Sequence, residues 1–128
     1  MAHFDDPALP DRFRVVLDNI NHPDVKTIYG PGCEAAFLLS YWIAPGQLWP
    51  WKLLLFGADL LTLRLLTGAL GARRALLYAW CPLLIQETAF NAHPDVLAIA
   101  AVVGALVAFQ RQRWFWMAIW MALAGARD

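Results

Sequence analysis

The apolar positions of this chain gather into long runs. After a polar stretch over residues 1–32, apolar segments cover 33–44 (CEAAFLLSYWIA), 49–68 (WPWKLLLFGADLLTLRLLTG), 75–90 (ALLYAWCPLLIQETAF), 95–110 and 113–126. Runs of this length and composition predict helices. Pro45-Gly46 closes the first run, and Pro82 predicts a kink inside the third. Within the polar stretch a short helix is expected around Pro10 to Asn19.

Crossing the hydrocarbon core of a bilayer takes about 20 apolar residues, with a range of roughly 17–25. The 49–68 segment meets that length. The 75–90 and 95–110 segments approach it once their flanks are counted. The 33–44 segment does not, because its residues rise only about 18 Å as a helix. It is a half-span, a re-entrant piece or an interfacial helix. The expected fold is all-α: a multi-spanning transmembrane helical bundle of about four spans plus one short apolar helix over 33–128, behind a polar loop at 1–32.

Composition strengthens the membrane expectation. Hydrophobic residues make up 60% of the 128 positions and charged residues 16%, against about 25% charged in a soluble domain. The 7 Trp and 7 Phe fall mostly near the ends of apolar runs, as amphipathic aromatics do at a membrane–water interface. Ten basic and ten acidic residues cancel, so no global field points to nucleic acid or to an acidic partner. Cys33 and Cys81 lie beside apolar stretches and read as small buried thiols rather than a disulfide framework. The first 31 residues are acidic and proline-containing, without the basic start and apolar core of a signal peptide. A polar opening before so apolar a chain suggests that a first membrane helix precedes Met1. The run ending at Arg127-Asp128 likewise suggests a piece of a longer protein.

Charge also predicts orientation. Arg73-Arg74 and Arg111/Arg113 are the basic loops and are expected on the cytoplasmic side. Two spans separate them, so the parity agrees, and residues 91–95 then lie outside. If 33–44 does not cross, residues 1–32 lie outside as well; if it crosses, they lie inside. The shortness of that helix favours the first arrangement.

Several residues invite chemistry. His-Pro-Asp-Val occurs at His22–Val25 and again at His93–Val96, each time after an Asn. One reading is a helix start, with Asn as cap, Pro in the first turn and Asp opposing the helix dipole. The other is a polar site at a helix N-terminus, where backbone N–H groups and an imidazole hold a lipid phosphate and a carboxylate serves as general base. Glu87, less than two turns before the second copy, tilts that copy toward function. Tyr29 is either an interfacial anchor or part of a substrate cleft. Asp59 and Arg64 sit within an apolar span, where charge is expensive and usually faces a partner or a wet cavity. Five residues apart, they are poorly placed to pair with each other; a structural interhelical link is the plainer account. The Trp114, Trp116 and Trp120 cluster reads as an aromatic belt and packing. Two His and several carboxylates are acceptable metal ligands, but His-x-Asp is not a metal signature, so no cofactor is expected. The sequence has no Walker or dinucleotide loop, no serine nucleophile elbow and no basic, aromatic-interleaved nucleic-acid patch.

Taken together and in order, certain strings carry a resemblance. Asp6-Pro7-Ala8-Leu9, Asn21-His22-Pro23-Asp24-Val25 and Thr27-Ile28-Tyr29-Gly30-Pro31 resemble the first outer loop of polyprenyl-phosphate-sugar-dependent glycosyltransferases of the multi-spanning GT-C type. Bacterial alpha-mannosyltransferases belong to that type. Lys52-Leu53-Leu54-Leu55-Phe56 with Asp59-Leu60-Leu61 resembles their next span, and is similar to the catalytic subunit of GPI mannosyltransferase I. Leu77-Tyr78-Ala79-Trp80-Cys81-Pro82-Leu83 looks like their Tyr-Ala-Trp-Asn-Pro-Leu stretch, and Glu87 to Asp95 like their Glu-x-x-x-Asn-Gly-His-x-Asp stretch. The resemblance covers roughly residues 5–110. Gly30 stands where the family usually has Pro, Cys81 where it has Asn, and Ala92 where it has Gly.

The resemblance implies transfer of a sugar, most simply mannose, from a polyprenyl-phosphate donor to a hydroxyl of a lipid or glycan acceptor, at the outer face of a bacterial plasma membrane. Partners would be that donor, the acceptor and membrane lipids. The anomeric centre would invert, with an outer-loop Asp as base. That Asp usually follows the first membrane helix closely, so it is expected upstream of Met1, and this piece alone is expected to be inactive. Asp95 and Glu87 would be the catalytic carboxylates present here. His93, Asn91, Tyr29, His22 and Asp24 would bind substrate. Two other classes remain open. A transporter or channel would line a path with Asp59, Arg64 and Glu87 along one axis. A non-catalytic membrane subunit would have no cleft.

Overall fold

A computed structural model of the chain describes Arg14 and residues 29–125. The short helix expected at 10–19 falls outside that description except for Arg14, which is helical. His22 and Asp24 also lie outside it. Every regular element among the described residues is a helix.

The first, α1, spans Pro31–Ile43. Pro31 opens it at a position where a missing N–H is harmless. Ala44 then turns extended, at φ −151° and ψ 94°, as a residue before proline must. Helix α2 spans Trp49–Leu70, also with a proline in its first turn. Its 22 residues rise about 33 Å. Gly71 ends it at φ +83°, a backbone that side-chain-bearing residues rarely adopt. Helix α2 is the described element long and apolar enough to cross a membrane, and only 11% of its most apolar window is buried. A core helix of a water-soluble domain would be mostly covered.

The return from α2 is broken. Helix α3 covers Ala72–Ala79, and α4 is a single turn at Pro82–Ile85. Cys81, just before Pro82, is extended at φ −76° and ψ 112°. A π-helical turn follows at Gln86–Asn91 and stops at Ala92, which is left-handed at φ 51° and ψ 41°. The stretch expected as one kinked span over 75–90 is therefore three pieces beginning at Ala72. Pro82 supplies the interruption, since it can neither donate to the helical ladder nor follow a helical residue easily.

Helices α5 (Asp95–Gln110) and α6 (Trp114–Gly125) form a hairpin. Both are apolar but shorter than a full span. Helix α5 is the centre of the assembly. Its Ala101, Gly104, Ala105 and Ala108 are buried at helical spacing, and such small residues let backbones approach closely. A Cβ at Gly104 would lie 2.5 Å from the Trp120 ring, so only glycine admits α6 at that distance. On its other side α5 contributes Val96 to a cluster with Trp51 and Leu55 of α2. Large apolar side chains elsewhere face outward, among them Trp42, Leu77, Phe90 and Phe115.

Candidate functional site at the start of α5

Helices α2 and α5 begin at the same end of the molecule, and there the π turn is held in place. Trp51 Nε1 donates to the Ala92 carbonyl at 2.9 Å, and Lys52 Nζ donates to the Ala89 carbonyl at 3.1 Å. Both acceptors are carbonyls at the end of a helical segment, which lack intrahelical partners. Trp51 is itself fixed by stacking on Phe37 of α1, with centroids 4.2 Å apart and planes at 29°. Tyr29 packs against Phe37 in a T-shaped arrangement, with centroids 5.8 Å apart.

This scaffold presents a polar rim. The His93 backbone N–H donates to the Glu87 carbonyl at 3.0 Å. Asn91 Nδ2 donates to Glu87 Oε1 at 3.0 Å. His93 Nδ1 lies 3.5 Å from Asp95 Oδ2, and both side chains are exposed. Asp95 stands in the first turn of α5, where a negative charge is favoured by the helix dipole.

Beside the rim a cleft of about 310 Å³ runs down between α1, α2, α5 and α6. Tyr29, Gly30, Pro94 and Asp95 form its mouth; Ala58, Leu61, Ala101, Trp120 and Leu123 form its walls. A second cavity, of about 400 Å³, joins the last turn of α1 (Ser40, Tyr41) to Asn91 and Ala92. The first turn of α1 thus borders Asp95 while its last turn borders Asn91, so the helix lies along the rim. Cys33 lines the cleft from α1. Burial pushes its thiol above the ordinary range, and the charges of Glu34 and Asp95 add to that, so it is a protonated, weakly polar wall.

Of the sequence-expected site residues, the structure brings Glu87 to Asn91, His93 to Asp95, and Tyr29 to the same cleft as Asp95. Asp59 is elsewhere: its Oδ1 accepts from Tyr78 Oη at 2.6 Å. It therefore ties α2 to α3. Arg64 lines a cavity at the opposite end with Arg111. Among the described residues no three of His, Cys, Asp and Glu gather as a metal-binding group. Residue-by-residue reading of the sequence passed over Trp51 and Lys52 as parts of the site. The available signal was their place at the start of α2, level with the loop they hold.

Chemically, the arrangement offers one carboxylate, Asp95, at the mouth of an apolar trench, with the His93 imidazole beside it and the Glu87–Asn91 pair on the same rim but outside the cleft lining. A ligand with a polar head and an apolar tail fits such a gradient. Comparison with protein-family models, curated proteins and solved structures finds no match to this chain.

Proposed function

We propose that this chain is part of a multi-spanning membrane glycosyltransferase that moves a sugar, most simply mannose, from a polyprenyl phosphate to an acceptor hydroxyl. In this reading α2, the broken return and α5 cross, α6 is the fourth span because it packs back along α5 with Trp120 against Gly104, and α1, of similar length, lies along the rim at the outer interface. Arg73 and Arg74 in the first turn of α3 and Arg111 and Arg113 in the α5–α6 turn lie inside, in keeping with the positive-inside rule.

The observation that carries the reading is the cleft with Tyr29 and Asp95 at its mouth and apolar walls below. The polar rim suits a sugar phosphate, and the trench suits the start of a lipid tail. The left-handed Ala92 adds support, because it stands where the resembled family carries glycine, the residue such a backbone favours.

The transfer balances as an inverting displacement. A rim carboxylate takes the proton of the acceptor hydroxyl. The acceptor oxygen bonds to the anomeric carbon, the bond from that carbon to the phosphate oxygen breaks, and the lipid phosphate leaves with the electron pair. Asp95 is that carboxylate, facing the acceptor, His93 holds the donor phosphate, and Glu87, clamped by Asn91, supports the rim.

The test uses membranes carrying the protein at its native length, incubated with a labelled polyprenyl-phosphate mannose. Asp95→Asn and His93→Ala are each expected to lower turnover by roughly 100-fold or more, the usual weight of a positioned acid–base group. Unchanged turnover in both variants sinks the site.

A further inference from the structure

The end of the molecule opposite the rim carries a second constellation, built from arginine. Arg64 of α2 and Arg111, just past α5, line one cavity of about 600 Å³ with Leu60, Leu63 and Thr67. Arg111 reaches across to α2, since a Cβ on Gly68 would lie 3.6 Å from its Nη2. Gly68 is one turn beyond Arg64, so both guanidinium groups serve the same face of α2. A neighbouring cavity shares Arg111 and Leu65 and adds Arg113 and Trp116. Three arginines, one from α2 and two from the α5–α6 turn, therefore converge on adjoining hollows.

Among the described residues no carboxylate forms an ion pair with any of the three. Arg64 also stands six residues before the end of α2, about 9 Å along the helix axis. A guanidinium at that depth in a spanning helix needs an anion or a wet path. The guanidinium forks present five N–H donors each and match phosphate oxygens, and the leucines beside them suit acyl chains.

We infer that Arg64, Arg111 and Arg113 form a binding site for the phosphate headgroup of an anionic phospholipid of the inner leaflet. This rests on the membrane-spanning part of the reading above and is independent of glycosyl transfer. Basic hollows between helices on the cytoplasmic side are where such headgroups are held.

The test takes the full chain reconstituted in phosphatidylcholine nanodiscs containing a minority of phosphatidylglycerol, and measures by native mass spectrometry which lipid is retained. The protein is expected to retain phosphatidylglycerol selectively. Arg64→Gln combined with Arg111→Gln is expected to weaken that preference about 25-fold, roughly fivefold for each guanidinium lost. Arg73→Gln with Arg74→Gln removes equal charge outside the hollows and is expected to leave it nearly intact. Equal losses in the two double variants overturn the site in favour of diffuse attraction. Absence of any preference in the unaltered chain overturns it whatever the variants do. Alkaline carbonate extraction separates the two levels: a chain released to the supernatant sinks the membrane reading and this site with it. A chain that stays embedded yet shows no lipid preference sinks this site alone.

Discussion

Helix α2 and the return that follows it are nearly equal in length and both rich in leucine, yet one is unbroken over Trp49–Leu70 and the other is divided at Trp80-Cys81 and again at the π turn. The return is the less apolar of the two, with Arg73 and Arg74 in its first turn, but that alone does not divide a helix. What separates them is where the backbone can keep its hydrogen-bond ladder. Helix α2 confines its proline to the first turn, and its buried Thr62 returns its hydroxyl to the Ala58 carbonyl at 2.9 Å. The return carries Pro82 in its middle, and its last carbonyls are taken by donors from α2. The straight element serves as the frame and the interrupted one as the part that is framed.

That contrast can be broken most severely by moving the proline. Leu60→Pro places the ring mid-way along α2 and is expected to cost about 3 kcal/mol or more, read as a lowered unfolding midpoint in detergent. A negligible change would mean that α2 is not the frame. Next comes the tie between the two regions. Tyr78→Phe leaves Asp59 without its 2.6 Å donor and is expected to cost about 2 kcal/mol in the same measurement, as for hydrogen bonds to charged groups. Smaller again is Trp51→Phe, which keeps the stacking ring but leaves the Ala92 carbonyl without its donor. A loss of about 1 kcal/mol is expected, with faster amide hydrogen exchange confined to residues 86–95. The smallest effect has the opposite sign. Ala92→Gly relieves a left-handed alanine at some cost in chain entropy, so a net gain of roughly 0.5 kcal/mol is expected. A destabilised glycine variant would contradict the left-handed turn.

Much of this architecture was legible because proline and glycine act locally. Pro45-Gly46 ended α1, Pro82 interrupted the return, and the lengths of the runs separated α2 from the shorter α1. The π turn was not legible, because its register depends on Trp51 and Lys52, which lie far away along the chain. Asp59 was recognisable as a residue needing a partner, and a link between helices was the plainer account. That Tyr78 would supply it depended on how α3 folds back. At the site, the repeated His-Pro-Asp pattern and Glu87 pointed to the start of α5, and Asp95 and His93 do meet there. Asn91 was expected to contact substrate; in the structure it clamps Glu87. Tyr29 was left between two readings, and it lines the cleft. His22 and Asp24 fall outside the described residues.

The π turn at Gln86–Asn91 has a consequence for how this stretch can vary over time. Such a turn is what an α-helix becomes when a single residue is inserted without severing it. Each residue of a helix is worth about 100° of rotation, so length here sets phase. A different side chain at Phe90, which faces outward, leaves the phase alone. Gain or loss of one residue between 86 and 91 would turn Asn91 and Ala92 by about a quarter turn relative to Glu87 and Trp51, and so break the ties that hold the loop before α5. Natural variation across this stretch should therefore show many replacements and no change in spacing.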